Sequence, residues 1–310
     1  MNPINPMKPN KTRNVKFISD SGCDIPQGWE VQYGIDIMSF EVELDDVIYR
    51  ERENVTAKEF YSLMNNSQSI PVTNQITVPR FEEKFRECIS DFKQGGAGEV
   101  IAILINSKGS QTYFNALAAR KNLSESGELP PDMNIHIIDS RTYSVGYGYA
   151  LIEAVKKIDA GQSVTQVIAY LEDWFACAEV YMLPLNLRHM KKSGRITAAA
   201  AFLGELMGLK PVVSLIDGES QVVKKVRGEK ALLDEAASVA KSRAIPQTPW
   251  IAVCADEREF YDTFTMRMSK ELGSPPALES YLGCVVSVNT GPKVVALIIK
   301  GQNRGPMKYN

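Results

Sequence analysis

The sequence of residues 99–120 limits the possible folds of this chain, because it has the pattern of a buried strand followed directly by a polar loop and a helix. Residues 99–105, EVIAILI, form an apolar run, and residues 106–120, NSKGSQTYFNALAAR, follow it with small polar side chains and then a helical pattern. A short apolar run bounded by polar residues is typical of a strand that is buried on both faces. The pattern therefore favours a parallel sheet covered by helices on both sides.

The same order of strand, polar turn and helix recurs through the first half of the chain. Residues 15–20 (VKFISD) and 134–139 (NIHIID) are β-rich runs that end in polar residues. Thr56 and Glu59 have the spacing of a capping box, which predicts that a helix begins there. We therefore predict an α/β fold with an N-terminal parallel α/β domain over residues 15–178, preceded by a flexible tail of residues 1–14.

Beyond residue 178 the pattern changes to several strands joined by turn signals such as DGE and TGP. This sequence pattern predicts a C-terminal α+β domain over residues 179–310, with helices at residues 194–208 and 229–244. Residues 281–292, YLGCVVSVNTGP, are predicted to form a strand because they are rich in β-branched residues.

Polar residues follow three of the predicted parallel strands, and ligands of such sheets bind at the carboxyl ends of the strands. The loop after residue 105 is the richest of these, and two interpretations of it stay open. Its hydroxyls can cap the following helix, or they can join the helix amides in binding an anion. The residues expected to cluster at this edge are Asp20, Ser21, Asn106, Ser107, Asp139 and Ser140.

Composition excludes several classes of function. The chain has 310 residues, 44% of them hydrophobic and 23% charged, with a net charge of −2, so we expect neither a nucleic-acid partner nor binding to an anionic membrane surface. No run reaches the ~18 apolar residues of a membrane span, and no apolar leader is present, which predicts a cytoplasmic protein without membrane insertion. Five separated cysteines and two distant histidines favour reduced thiols and no metal site.

Six segments in a fixed order carry a resemblance to a known family: ISDSGCDIP, PVTNQIT, NSKGSQTYFNA, IIDSRTYSVGYGYAL, HMKKSGRITAAAAFLGELMGLKPVVSLIDGE and VNTGP. Together they resemble the DegV family of bacterial fatty-acid-binding proteins over residues 16–300. The resemblance implies two domains with a long-chain fatty acid bound between them, no catalytic residues, and no cofactor other than that ligand. It also implies a partner, a fatty-acid kinase to which the protein presents the bound acid.

The resemblance further implies where the ligand carboxylate lies. The loops that resemble PVTNQIT and NSKGSQTY hold it in the family, which makes Thr73 and Ser107 the expected donors. Arg195 is either a surface cation or a functional residue of the Gly-Arg pair, because a guanidinium suits bidentate contact with a carboxylate or phosphate. The expected ligand-binding residues are Thr73, Asn74, Asn106, Ser107, Ser110, Arg195, Asn289 and Thr290. The apolar residues 198–209 line part of the acyl tunnel or belong to the core.

Some residues depart from the family pattern. Asn289 and Lys293 stand in NTGPK where the family has HTGPG, and Gln111 stands where the family has glycine. Asparagine does not titrate as histidine does, so acyl phosphate formation by a partner kinase is in doubt. These departures leave open the alternative that this chain is a lipid-free regulatory or interaction protein that retains the fold.

An enzyme is the other alternative. Asp20, Asp24 and Asp139 at strand ends would then act as metal ligands or as acid and base in a metal-dependent hydrolase. DSGCD lacks the D-x-D spacing of phosphatases with an aspartate nucleophile, and no base is evident for Cys23. A non-catalytic lipid-binding protein is the favoured prediction.

Overall fold

The structure is a computed structural model that describes residues 13–197 and 208–305. Of the expected tail, Arg13 and Asn14 lie in these ranges, and Arg13 Nη2 pairs with Asp159 Oδ2 at 2.7 Å. Most of the expected helix over residues 194–208, and with it the apolar segment 198–207, lies outside the described residues.

The described chain alternates strands and helices. The strands are β1 (Val15–Asp20), β2 (Ile35–Met38), β3 (Glu41–Leu44), β4 (Val47–Arg50), β5 (Val72–Asn74), β6 (Glu99–Leu104), β7 (Asn134–Asp139), β8 (Ala178–Pro184), β9 (Leu209–Ile216), β10 (Glu219–Arg227), β11 (Trp250–Cys254), β12 (Leu278–Tyr281) and β13 (Val294–Lys300). The helices are α1 (Trp29–Tyr33), α2 (Ala57–Asn66), α3 (Val78–Lys93), α4 (Thr112–Glu125), α5 (Val145–Asp159), α6 (Val164–Cys177), α7 (Arg188–Ser193), α8 (Glu229–Arg243), α9 (Arg258–Leu272) and α10 (Cys284–Thr290), with a 3-10 turn at Ser21–Cys23.

The predicted parallel sheet is confirmed. Its order is β2-β1-β6-β7 with every pair parallel, and β6, the apolar run of the sequence, is a central strand. Parallel pairing brings the carboxyl ends of the strands to one edge. The predicted cluster at this edge is also found, because Asp20 accepts the Ile105 amide, Asp139 accepts from Ser107, and the Ser140 amide donates to Leu104.

The C-terminal half forms a mixed six-stranded sheet of order β10-β9-β8-β13-β11-β12. All its pairs are antiparallel except β11 with β12. Side chains alternate between its two faces, as strand geometry requires: Val180 and Met182 join the apolar core shared with the N-terminal half, whereas Tyr181 and Leu183 pack in a second core. Helices α8 and α9 supply the outer wall of that second core.

The segment PVTNQIT, expected as a polar loop, contains the short strand β5. It pairs with β3 in a three-stranded sheet of order β4-β3-β5, which sets Thr73 opposite Val42. Helix α2 begins after the Thr56 capping box, as predicted, and ends before β5. The sheet therefore positions Thr73 through main-chain pairing.

The predicted strand over residues 281–292 is wrong for most of its length, because residues 284–290 form helix α10. Most of this helix is buried, and the Cys284 amide at its start donates to the Glu51 carboxylate. Gly291 follows with φ +79, a left-handed conformation that glycine adopts easily. Tertiary contacts thus override the β propensity of the valines.

In the part of the chain that the structure describes, no helix has both the length and the apolar character to cross a membrane.

Candidate functional site

A cavity of about 350 Å³ opens at the carboxyl edge of the parallel sheet, between the loop after β6, the end of β5 and helix α10. Its walls come from both halves of the chain. The apolar lining residues are Phe40, Ile105, Ile196, Leu215, Val285 and Val286. The polar ones are Thr73, Asn74, Gln75, Ser107, Lys108, Ser110, Gln111, Tyr143, Arg195, Asn289 and Thr290, with Gly109 beside them.

Seven of the eight expected site residues line this cavity, and Asn106 does not. The Asn106 side chain is fully buried behind the loop, where its Oδ1 accepts the Lys108 amide at 3.2 Å and its Nδ2 donates to the Tyr143 hydroxyl at 2.9 Å. Asn106 therefore supports the loop from within.

The loop after β6 caps the following helix and also faces the cavity. Ser110 Oγ accepts the Thr112 amide at 3.2 Å and pairs with the Thr112 hydroxyl at 2.9 Å, so it satisfies a free amide at the start of α4. Gln111, the N-cap residue, makes no side-chain cap. Ser107 and Ser110 also line the cavity, so one loop both caps α4 and forms part of the cavity wall.

Ser107 is held tightly by Asp139 at the end of β7. Its hydroxyl donates to Asp139 Oδ2 at 2.5 Å and its amide to Oδ1 at 3.0 Å, and the Arg141 amide also donates to Oδ1 at 3.0 Å. The two neighbouring strand ends are thus linked by a charge-assisted contact. In this arrangement the Ser107 hydroxyl uses its proton in the hydrogen bond to Asp139.

Three carboxamides surround the opening from facing loops. Asn74 is the last residue of β5, Gln75 follows it, Gln111 precedes α4, and all three side chains are exposed. Within the described ranges, neither these amides nor the Thr73 hydroxyl have a protein partner in a hydrogen bond. Each can therefore turn toward a ligand.

The charge that faces the cavity is positive. Lys108 pairs with Glu219 at 2.8 Å, whereas Arg195 is exposed, bonds to the Ser193 carbonyl at 3.2 Å and has no ion-pair partner among the described residues. The described lining residues include no carboxylate. An anionic group is therefore favoured there over a cation.

Helix α10 brings Asn289 and Thr290 to the cavity. Asn289 Nδ2 donates back to the Val285 carbonyl at 3.1 Å, and the Thr290 hydroxyl donates to main-chain oxygens of its own turn. Lys293 is engaged elsewhere, 3.2 Å from Glu257. Neither departure from the family pattern places a free cation or a titrating group at the described cavity wall.

The carboxyl groups of Asp20 and Asp24 near the end of β1 accept hydrogen bonds from neighbouring parts of the fold. Asp20 accepts from Tyr147, Ile105 and Gly22, and Asp24 accepts from Ser144. Burial raises the pKa of Asp20 to about 7 and, with the nearby Glu51, raises that of Asp24 well above its usual range. No group of three or more His, Cys, Asp or Glu side chains in the described ranges is arranged to hold a metal.

Tyr143 is the main lining residue that the sequence did not single out. It follows β7 by four residues, so the rule that sites form at strand ends would have included it. Gln75, Phe40 and Ile196 were missed as well, since each lies in a loop whose direction depends on the tertiary fold.

Comparisons with known proteins agree with this architecture. A family model described as "Uncharacterised protein, DegV family" matches residues 14–301. A DegV domain-containing protein of Caldanaerobacter subterraneus is 25% identical over 288 residues, which are 92% of this chain and 98% of that protein. One of Streptococcus pyogenes serotype M1 is 29% identical over 291 residues, covering 93% and 98% of the two chains.

Among solved structures, a DegV family protein of Thermus thermophilus described by its fatty-acid binding superposes with a TM-score of 0.79. It is 26% identical, and the match covers 93% of this chain and 99% of that one. A stearic-acid-binding protein of Eubacterium ventriosum shares the fold, with a TM-score of 0.81, 23% identity and coverage of 92% and 98%. Given the family match from residue 14 to residue 301, the chain belongs to the DegV family.

Proposed function

We propose that this protein binds a long-chain fatty acid in the cavity and acts as a non-catalytic cytoplasmic carrier. The observation that carries the proposal is the composition of the cavity wall, which combines hydroxyls, amides and cations with apolar side chains and has no carboxylate among the described lining residues. A buried carboxylate needs donors, and an acyl chain needs apolar surface. The fatty-acid binding described for the Thermus thermophilus relative supports the same ligand class.

In this proposal the carboxylate lies at the loop after β6. Ser107, Ser110 and Thr73 line that region, with Asn74, Arg195, Asn289 and Thr290 around it and Asn106 behind. Burying about fifteen methylenes at ~0.8 kcal/mol each contributes roughly 12 kcal/mol before the cost of ordering the ligand. The tail therefore supplies most of the affinity, and the polar loops set the orientation.

The engagement of the strand-end carboxyl groups supports a carrier over an enzyme. Asp20 and Asp139 accept hydrogen bonds from neighbouring loops. A carboxylate that serves as a metal ligand or base instead needs a free oxygen directed at the substrate. We extend the proposal to presentation of the bound acid to a fatty-acid kinase, which the family resemblance suggests.

Native mass spectrometry of the purified protein, followed by lipid extraction, tests the binding proposal. We expect a stoichiometric fatty acid on the protein, or tight binding of palmitate after the protein has been stripped of lipid. A protein that is empty as purified and does not bind palmitate would favour the lipid-free regulatory alternative.

A further inference from the structure

The hydroxyls that line the cavity differ in whether their protons are available to a ligand. A hydroxyl has one proton to donate. Ser107 gives its proton to Asp139, and Thr290 gives its own to main-chain oxygens. Ser110 and Thr112 share one hydrogen bond in which either hydroxyl can be the donor, so Ser110 has a proton for a ligand only when Thr112 donates. Of the described lining hydroxyls, those of Thr73 and Tyr143 donate to no protein acceptor.

The direction of the hydrogen bond at Tyr143 is fixed by Asn106. The Asn106 Oδ1 atom accepts the Lys108 amide at 3.2 Å, and a main-chain N–H can only donate, so the amide oxygen must face it. The NH2 group then faces Tyr143 and donates to its hydroxyl oxygen at 2.9 Å. Since Asn106 Nδ2 has no acceptor capacity, the phenol proton points elsewhere.

The phenol is held rigidly at the cavity wall. The Tyr143 ring lies so close to Gly109 that a Cβ atom there would be 2.9 Å from Cε1 and would overlap the hydroxyl. On the other side, Gly218 in the turn between β9 and β10 packs against the Asn106 amide. The pair is therefore clamped between the cavity loop and a turn of the C-terminal sheet.

Resting on the proposed function, we propose that the Tyr143 hydroxyl donates a hydrogen bond to the carboxylate of the bound fatty acid, with Asn106 as the residue that orients it. Thr73 supplies the second hydroxyl proton, and the unpaired Arg195 supplies positive charge. Burial raises the pKa of Tyr143, and the hydrogen bond from Asn106 and, to a smaller extent, the charge of Arg195 act in the opposite direction. Ser107 then serves to fix the loop on Asp139.

The test measures palmitate and methyl palmitate binding by calorimetry, after lipid removal, to the wild-type protein, Tyr143→Phe, Asn106→Ala and the double variant. Tyr143→Phe keeps the ring against Gly109 and removes only the hydroxyl. We expect it to weaken palmitate binding about ten-fold and methyl palmitate binding less than about three-fold, because a hydrogen bond to a charged group is worth more than one to an ester. As a single substitution, Asn106→Ala should weaken palmitate binding. In the Tyr143→Phe background the same substitution should cause little further loss.

Three results would overturn the inference. Palmitate affinity of Tyr143→Phe within about two-fold of wild type would show that the phenol proton makes no contact with the ligand. An equal loss for both ligands would assign Tyr143 to packing. Failure of the wild-type protein to bind palmitate would overturn the proposed function, and this inference with it. Thermal midpoints of all variants identify any loss of fold.

Discussion

Asp20 is a buried carboxyl that fixes the start of the cavity loop. Its Oδ2 atom accepts the Ile105 amide at 2.7 Å, and its Oδ1 atom accepts the Tyr147 hydroxyl at 2.5 Å. Burial raises the pKa of Asp20 to about 7, although these hydrogen bonds act in the opposite direction. In the unfolded chain the same group has a pKa of about 3.9, so the folded state holds a proton that the unfolded state releases between these values.

We therefore expect the contribution of Asp20 to the free energy of unfolding to decrease as the pH rises from about 4 to about 7. Asp20→Asn should reduce this slope by up to about 1.4 kcal/mol per pH unit, the contribution of one proton. Urea titrations at several pH values measure both slopes. Equal slopes in the two proteins would show that Asp20 does not carry the proton.

Asn289 is the residue at which kinase coupling can be tested. If an imidazole is needed at the reactive end of the ligand, Asn289→His should raise acyl phosphate formation about ten-fold or more with a purified fatty-acid kinase and ATP. Palmitate affinity should change little, because in the proposed binding mode the tail would supply most of the binding energy while residue 289 would act on the head group. Turnover is measured at saturating carrier.

Lys293→Gly, alone and with Asn289→His, is the matched control, because Lys293 is the second departure in the same turn and pairs with Glu257. We expect Lys293→Gly alone to leave turnover low. Wild-type turnover equal to that of a relative with histidine at this position would contradict the role assigned to the imidazole.

At the scale of elements, the turn between β9 and β10 joins the C-terminal sheet to the cavity loop. Asp217 Oδ2 accepts from Arg304 Nε at 2.8 Å, and its Oδ1 accepts from Arg141, which follows β7. Burial would raise the pKa of Asp217, but the hydrogen bonds and charges of the two arginines lower it. The next residue, Gly218, has φ +77 and contacts Asn106. The turn therefore sets the position of Asn106.

Gly218→Ala should lower stability by about 1–3 kcal/mol and weaken palmitate binding, because its Cβ would displace the Asn106 amide. Gly228→Ala is a matched control: Gly228 has φ +81, and no atom lies within 4 Å of a Cβ built there. The control should lose stability from backbone strain and keep its palmitate affinity. An equal affinity for palmitate in both variants would disprove the link from turn to site.

The elements near the site differ in how far the sequence predicts them. Strand β6 and its polar loop can be predicted from the apolar run, the turn residues and the helix pattern, because all three signals are local in the sequence. Helix α10 does not, since its valines favour a strand and only the Glu51 carboxylate, brought from a distant part of the chain, satisfies the amide at its start. The sequence did not indicate Tyr143 for the same reason, because its position at the cavity wall and its contact with Asn106 depend on the tertiary fold.

At the scale of the whole molecule, one apolar core spans both sheets. Phe17 and Ile103 of the parallel sheet belong to the same cluster as Met182 and Ile298 of the six-stranded sheet. Hydrogen bonds also join the halves, from the Tyr61 hydroxyl to the Leu282 carbonyl and from the Ser280 hydroxyl to the Asp24 carbonyl. The proposed domains, residues 15–178 and 179–310, therefore depend on each other for burial of their apolar faces.

This shared core predicts one cooperative unfolding transition. Trp174 reports on the shared core and Trp250 on the second core behind the six-stranded sheet. The third tryptophan, Trp29, also packs against the shared core, so variants that lack Trp29 and retain only Trp174 or only Trp250 follow each region separately. We expect coincident urea transitions for the two probes.

Since the cavity is built from both halves, palmitate at about 100 times its dissociation constant should raise both apparent free energies of unfolding by about 2.7 kcal/mol. Methyl palmitate at the same free concentration, as the control ligand, should stabilise the protein less. Separate transitions, or a shift in the Trp174 signal alone, would mean that the halves unfold independently and that the ligand is held by one of them.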